Sequence, residues 1–157
     1  MDILLLTVGK TRSPFVIAGI DEYMRRLTRY VSFSMAEIPD VRASKAMSEQ
    51  VQKEKEGALI LDRLSASDFV VLLDEKGNEF TSVEFAGYMQ KVMTSGRKRM
   101  VFVVGGPYGF SSNVYARGNV KISLSRMTFN HEMVRMFFVE QIYRAMTILR
   151  GEPYHHQ

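Results

Sequence analysis

The chain has 157 residues, 46% of them hydrophobic and 24% charged, which is the length and composition of one folded domain. It contains no cysteine, so disulfide scaffolds, thiolate catalysis and Cys-ligated zinc or iron–sulfur sites are excluded. The net charge is +4, no apolar run approaches eighteen residues, and Asp2 stands where a secretory signal needs a base, so we expect a single cytoplasmic domain over 1–157 with no membrane partner.

Short apolar runs alternate with segments of helical spacing along the chain. The runs that predict buried strands cover, in order, 3–8, 31–35, 69–73, 100–104 and 120–124. The predicted helices run from Ser13-Pro14 to about Arg29, over 44–64, from Thr81 or Ser82 to about Gly96, briefly from about Ser111, and from about His131 to Arg150. Such an order predicts a parallel sheet covered on both faces, which is the α/β class.

Ligands of open α/β sheets bind beyond the carboxyl ends of the strands, so the loops that follow the strands are the expected site. The glycine-rich segment 105–109 follows the fourth strand and would let a ligand approach bare backbone, although an ordinary turn explains the same residues. The segment 124–130 follows the fifth strand. Its apolar and hydroxyl residues suit a pocket for a flat heterocycle, and helix capping by Thr128 or Asn130 is compatible with that use.

Three familiar ligand motifs are incomplete in this chain. The Gly9-Lys10 pair resembles the end of a phosphate-binding P-loop, but Leu4 replaces the first glycine of that motif. The first strand also lacks the glycine-rich turn of a dinucleotide site. His131 begins a possible zinc helix, but Arg135 stands where the second ligand is needed, so no metal site is expected.

Positive charge is concentrated in the C-terminal part of the chain. Residues 97–157 hold nine Lys and Arg against three acids, whereas residues 1–96 hold twelve against fourteen. The basic part is a plausible seat for RNA, and an unevenly charged solvated surface is the alternative.

The last predicted helix has apolar residues around more of its circumference than one core requires. Met133, Met136 and Tyr143 lie on the side opposite its main apolar face. Burial against a second chain would explain them, so we expect a homodimer, with full burial inside one domain as the alternative. The tail that follows the helix is either frayed or a place where Tyr154 and His155 stack on a base and handle a proton.

Taken together, these segments resemble the ribosomal RNA large subunit methyltransferase H family of the SPOUT superfamily. The motifs that carry the resemblance are Leu73-Asp74-x-x-Gly77, Phe102-Val103-Val104-Gly105-Gly106-Pro107-x-Gly109, Leu124-Ser125-x-Met127-Thr128-Phe129-x-His131, Glu140-Gln141-x-Tyr143-Arg144-Ala145 and Gly151-x-Pro153-Tyr154-His155. They occur in the family's order and spacing, and with Val8-Gly9-Lys10 and Glu22-Tyr23-x-x-Arg26-Leu27 they span the whole chain.

The resemblance implies a SPOUT-type parallel sheet flanked by helices, with a deep trefoil knot near the C-terminus. It also implies a homodimer that binds S-adenosylmethionine and methylates N3 of a pseudouridine in helix 69 of 23S rRNA, within assembled ribosomes. A non-catalytic ribosome-binding protein with the same fold, or a SPOUT enzyme that modifies tRNA, remains as an alternative.

The same resemblance implies specific site residues. The implied cofactor-binding residues are Leu73, Gly105, Leu124, Ser125, Arg126, Met127, Thr128 and Phe129. Tyr154 and His155 are the implied catalytic residues, from the same subunit or its partner, and Glu140 is expected near the sulfonium of the cofactor. The expected phosphate contacts are Arg126, Arg135 and Arg144.

Two positions depart from the family's usual pattern. His156 and Gln157 follow the tail's Tyr-His pair where the family usually has Lys or Arg, so a permanent cation is replaced by a group that titrates. Asn130 and Glu132 flank His131 where the family often has Pro and Gln, and we expect this change to alter only the start of the helix.

Overall fold

The computed structural model describes residues 1–41 and 47–156. The strands are β1 (Asp2–Val8), β2 (Ser32–Ile38), β3 (Phe69–Glu79), β4 (Arg99–Val104) and β5 (Val120–Ser123). The helices are α1 (Pro14–Leu27), α2 (Glu49–Asp62), α3 (Ser82–Met93), α4 (Ser112–Arg117) and α5 (Met133–Leu149). All ten predicted elements are present. The first residues of the helix predicted over 44–64 lie outside the described part of the chain.

The five strands form one parallel sheet in the order β2-β1-β4-β3-β5. Neighbouring side chains in a strand point to opposite faces, and the sheet therefore has two cores. Leu5 and Phe102 pack with α1, α3 and α5 on one face, whereas Leu6 and Val103 pack with α2 and α4 on the other. The prediction of an α/β fold with helices on both faces is confirmed.

β3 is longer than predicted, because the segment 74–78 does not end the strand. Leu73 and Asn78 both pair with Ile122 of β5, and the residues between them bulge out of the ladder. At Gly77 a Cβ atom would lie 2.6 Å from the backbone nitrogen of Ile122, so only glycine allows the two strands to approach there. The bulge moves Asp74 and its neighbours to the carboxyl edge of the sheet.

The start of α1 is capped from a distant part of the chain. The Ser13 side chain makes no capping hydrogen bond, although Ser13 stands at the N-cap position. Instead, the Glu132 carboxylate accepts hydrogen bonds from the backbone N–H of Arg12 (2.7 Å) and of Ser13 (2.9 Å). These bonds lower the pKa of Glu132. Glu132 therefore does more than alter the start of α5, because it ties that start to the start of α1.

Candidate functional site

A cleft of about 580 Å³ opens at the carboxyl ends of β3, β4 and β5. The bulge of β3 lines one side, the glycine-rich segment 105–109 lines another, and the segment between β5 and α5 closes the third. This is the edge at which parallel sheets bind ligands, and the volume is within the range of small-molecule sites. The loops chosen from the strand ends therefore meet in one cavity.

Most of the residues predicted to bind the cofactor line this cleft. They are Leu73, Gly105, Leu124, Ser125, Met127, Thr128 and Phe129. Arg126 is not among the lining residues. Its side chain is 85% exposed and lies 3.4 Å from the carboxylate of Glu79.

The segment after β5 is shaped by hydrogen bonds of its own serines. The Ser123 hydroxyl donates to the carbonyl oxygen of Ser125 at 2.9 Å, and the Ser125 hydroxyl accepts from the Met127 backbone N–H at 3.0 Å. Because these bonds hold the turn internally, the side chains of Met127 and Phe129 stay exposed at the cleft. The segment thus offers a thioether and an aromatic ring over exposed backbone.

The glycine-rich segment leaves little room for a side chain at its first position. A Cβ atom at Gly105 would lie 3.1 Å from the ring of Phe110, which is buried. Backbone is therefore presented directly to the cleft at this point.

Asp74 and Tyr115 form a hydrogen-bonded pair at another wall of the cleft, and the sequence analysis assigned neither residue a role. The Tyr115 hydroxyl donates to a carboxylate oxygen of Asp74, whose other oxygen accepts from the Lys76 backbone N–H at 2.9 Å. Burial, followed by the Asp74 hydrogen bond and charge, raises the pKa of Tyr115 to about 12. The position of Asp74 directly after an apolar run was the available sequence signal for this wall. Tyr115 had none, since α4 brings it there.

Tyr154 lies apart from the cleft of its own chain. Its hydroxyl donates to Glu140 at 2.8 Å and lies 3.1 Å from the Tyr23 hydroxyl, while its ring packs 4.7 Å from that of Tyr143. Burial and the hydrogen bonds with Tyr23 and Glu140 raise the pKa of Tyr154. This phenol is held in its neutral form.

His155 belongs to the same group of contacting side chains. We call this group the tail cluster, and it comprises Tyr23, Glu140, Tyr143, Arg144, Tyr154 and His155. Its Nδ1 atom lies 3.2 Å from a guanidinium nitrogen of Arg144, and that arginine also donates to Glu140 at 2.5 Å. Val134 lines the cleft, and Glu140 lies six residues further along α5, which is about 9 Å of helix. Within one chain the structure therefore separates Tyr154, His155 and Glu140 from the predicted cofactor residues.

The prediction that Arg135 contacts phosphate is wrong. Its side chain is 1% exposed and donates to the carbonyl oxygens of Val8 and Gly9, to the Thr11 hydroxyl and to Glu37. Burial lowers the pKa of this guanidinium, although arginine stays charged in proteins. Arg135 pins the first turn of α5 to the end of β1 and is inaccessible to RNA.

The apolar residues opposite the main face of α5 are partly covered within the chain. Tyr143 packs against Tyr23 and Tyr30, and Met136 lies so close to Gly19 that a Cβ there would be 2.3 Å from its sulfur. The helix α1 therefore accounts for two of the three residues from which a second chain was expected. Phe137, by contrast, is 39% exposed and packs beside Phe129 at the cleft.

Comparison with known proteins places the chain in a family. A family profile described as "Predicted SPOUT methyltransferase" matches residues 1–155. Proteins named ribosomal RNA large subunit methyltransferase H from Parabacteroides distasonis and Porphyromonas gingivalis are 57% and 56% identical to it over 157 residues, covering 100% of this chain and of each relative. The relative of the same name from Flavobacterium johnsoniae is 54% identical with the same coverage.

A solved structure supports the fold independently of sequence. The tRNA (m1G37) methyltransferase from Aquifex aeolicus superposes with a TM-score of 0.57 at 12% identity, covering 100% of this chain and 76% of that one. Among the helices of residues 1–41 and 47–156, none is long and apolar enough to cross a membrane. The fold, the cleft and the full-length relatives agree, and the chain belongs to the SPOUT methyltransferases, in the ribosomal RNA large subunit methyltransferase H family.

Proposed function

We propose that the protein transfers a methyl group from S-adenosylmethionine to N3 of a pseudouridine in helix 69 of 23S rRNA, in ribosomes already assembled in the cytoplasm. One observation carries the proposal: three loops that are distant in sequence meet in a single cleft, in a chain that matches its named relatives from end to end. The relatives' name supports ribosomal RNA as the substrate class. The superposed tRNA enzyme shares the fold at low identity and does not favour tRNA.

The cleft fits the proposed methyl donor in size and in chemistry. Bare backbone at Gly105 can read the polar edges of a ligand, since a side chain there would meet Phe110. Phe129 and Met127 offer apolar surface for a heterocycle. Asp74 and Glu75 bring negative charge to a site whose ligand carries a sulfonium. When bound, the donor supplies a methyl group that is already electrophilic, so the protein's main task is to position the base.

The tail cluster offers hydrogen-bond donors for that task. Arginine only donates, so the contact with Arg144 makes the His155 Nδ1 atom an acceptor and places the ring proton on Nε2. The Tyr154 hydroxyl is a poor base, because its raised pKa keeps it neutral. In this arrangement His155 orients the uracil ring through a carbonyl oxygen and stabilises the negative charge that develops as N3 releases its proton to solvent. His155 accepts a proton only after it leaves Arg144.

A dimer would bring the two regions together. Because Tyr154 and His155 do not line the cleft of their own chain, we expect them to act at the cleft of a second subunit. The exposed ring of Phe129 at the cleft and that of Phe137 beside it are apolar surface that such a subunit would cover.

The proposal is tested by incubating ribosomes with the protein and isotope-labelled S-adenosylmethionine, followed by mass spectrometry of nucleosides from 23S rRNA and tRNA. Label on a 23S pseudouridine is expected. Label on tRNA alone would support the tRNA alternative, and donor binding that is undetectable by calorimetry would support a non-catalytic ribosome-binding protein.

Subunit complementation tests the shared site. We expect Gly105→Val and His155→Ala homodimers to be inactive. After mixing and re-association they should recover about a quarter of wild-type activity, because half the dimers are then mixed and each has one intact site. Recovery near zero would show that cleft and tail act within one chain or that the protein is not a dimer.

A further inference from the structure

A buried carboxyl group lies behind the cleft, and one of its oxygen atoms makes no hydrogen bond within the described residues. Glu56 of α2 is 3% exposed, and its Oε1 atom accepts a hydrogen bond from the Gln52 side chain at 3.1 Å. Its Oε2 atom is fully buried and has no hydrogen-bond partner within residues 1–41 and 47–156. An unsatisfied buried carboxyl oxygen is costly, so its position calls for a function.

The Oε2 atom of Glu56 faces the glycine-rich segment from the side opposite to the cleft. A Cβ atom on Gly106 would lie 2.3 Å from Glu56 Oε2 and 2.8 Å from the other two carboxyl atoms. Gly106 itself lines the cleft, whereas Glu56 does not. The carboxyl group therefore occupies the space that a side chain at position 106 would need, and it supports the turn from the side opposite to the ligand.

Packing against α4 fixes the position of α2, the helix that carries Glu56. A Cβ atom at the next residue, Gly57, would lie 2.3 Å from the Ser111 hydroxyl oxygen, so α2 is pressed against the start of α4. Ser111 caps α4 by accepting from the Val114 N–H. This packing fixes the backbone of α2 at the position that places the Glu56 carboxyl group against Gly106.

The surroundings of Glu56 favour its uncharged form. Burial is the largest influence on its pKa and raises it, and the nearby charge of Asp40 after β2 raises it further. The hydrogen bond from Gln52 acts in the opposite direction. Gly106 packs against Glu56 and Ser111 and Val114 pack against the adjacent Gly57, and none of the three is charged, so Asp40 is the charge that acts on Glu56 from outside α2.

We propose that Glu56, as an uncharged carboxylic acid, is a positioning residue of the donor cleft that holds the Gly105–Gly106 turn from behind. The proposal rests on the proposed function, since the turn is taken to bind S-adenosylmethionine. The neutral acid packs against Gly106 at little cost, whereas an ionised carboxylate at the same place would be a buried charge whose Oε2 atom has no hydrogen-bond partner within residues 1–41 and 47–156. Ionisation of Glu56 therefore loosens the turn and weakens donor binding.

The first test is calorimetric titration of S-adenosylmethionine into wild type and Glu56→Gln from roughly pH 5 to 9, the range over which buried glutamates titrate. We expect the two proteins to bind equally at low pH. As pH rises, the wild-type affinity should fall roughly three- to tenfold below that of Glu56→Gln, which keeps the shape and cannot ionise. Glu54→Gln, at an exposed position of the same helix, should follow wild type throughout.

The second test needs no ligand and separates the two proposals. The backbone amides of Gly105, Gly106, Tyr108 and Gly109 should lose protection from hydrogen exchange, corrected for intrinsic rates, as pH rises in wild type and not in Glu56→Gln. Parallel profiles of wild type and Glu56→Gln in both measurements would overturn the role of Glu56. Absent donor binding together with the expected exchange difference would overturn the proposed function and leave the support of the turn by Glu56 standing.

Discussion

The cleft and the tail cluster use their residues in opposite ways. The cleft is built from loop backbone and exposed side chains, with the Asp74–Tyr115 pair as its one carboxylate–hydroxyl contact. In the tail cluster, Tyr154, His155 and Glu140 are all engaged with side chains of α1 or α5. The side chains of the tail cluster are thus paired with one another, whereas the cleft leaves backbone and side chains exposed to a ligand. The two become one site only if a second subunit brings them together.

Among these predictions, the largest effect should come from losing Arg135, which links the start of α5 to the end of β1 and so stabilises the fold. Arg135→Met removes the buried cation and leaves the carbonyls of Val8 and Gly9 without this donor, while Glu37 keeps its hydrogen bonds from Thr11. We expect a loss of about 3 kcal/mol in unfolding free energy, measured by urea titration. Arg126→Met removes an exposed arginine with the same change of side chain, and it should stay within about 0.5 kcal/mol of wild type.

A change confined to the cleft should separate ligand binding from the tail cluster. Gly105→Val puts a branched side chain against Phe110 and into the cleft, and we expect S-adenosylmethionine affinity to fall roughly 100-fold, measured by calorimetry. Gly87→Ala adds a methyl group where no atom lies within 4 Å and serves as the control. Equal affinities of Gly105→Val and wild type would place the ligand elsewhere.

A substitution confined to the tail cluster should lower the rate of methyl transfer and leave donor affinity unchanged. Tyr23→Phe removes the hydroxyl 3.1 Å from that of Tyr154 and keeps the ring that packs on Tyr143. We expect kcat on ribosomes to fall roughly fivefold, which is the value of one hydrogen bond, while donor affinity stays unchanged. A matching loss of donor affinity would show that the tail cluster supports the cleft of its own chain.

The smallest effect concerns the alkaline titration of the cleft wall. The raised pKa of Tyr115, about 12, means that the stability it contributes is complete below pH 10 and is lost as pH rises through about 12. Asp74→Asn removes the charged acceptor, so Tyr115 should ionise at lower pH, seen as phenolate absorbance. Tyr115→Phe identifies the signal. An unchanged titration in Asp74→Asn would leave burial and the charge of Glu75 as the causes of the raised pKa.

The strands and the cleft loops were predictable because their signals are local. Each apolar run that predicts a strand lies within a few consecutive residues, and the glycine-rich segment directly follows one of them. The knot, the dimer and the roles of Tyr154 and His155 stay predictions. The argument for a dimer from the apolar surplus of α5 is weakened, since α1 covers Met136 and Tyr143.

Other features depend on partners that are far away in the sequence. The continuation of β3 needs Asn78 to pair with Ile122, and the cap of α1 comes from Glu132. Arg135 looks like any surface cation in the sequence, yet its partners lie near the end of β1, more than 120 residues earlier.

The order of apolar runs and turns by itself determined the α/β class, the strand positions and the loops that form the cleft, because hydrophobic periodicity and turn chemistry act over a few residues. Tertiary structure alone decided which polar groups are satisfied. Whether Arg135 faces water or the carbonyls of Val8 and Gly9, and whether Glu56 meets solvent or Gly106, depends on which elements pack together. Burial then sets the charge and role of each group.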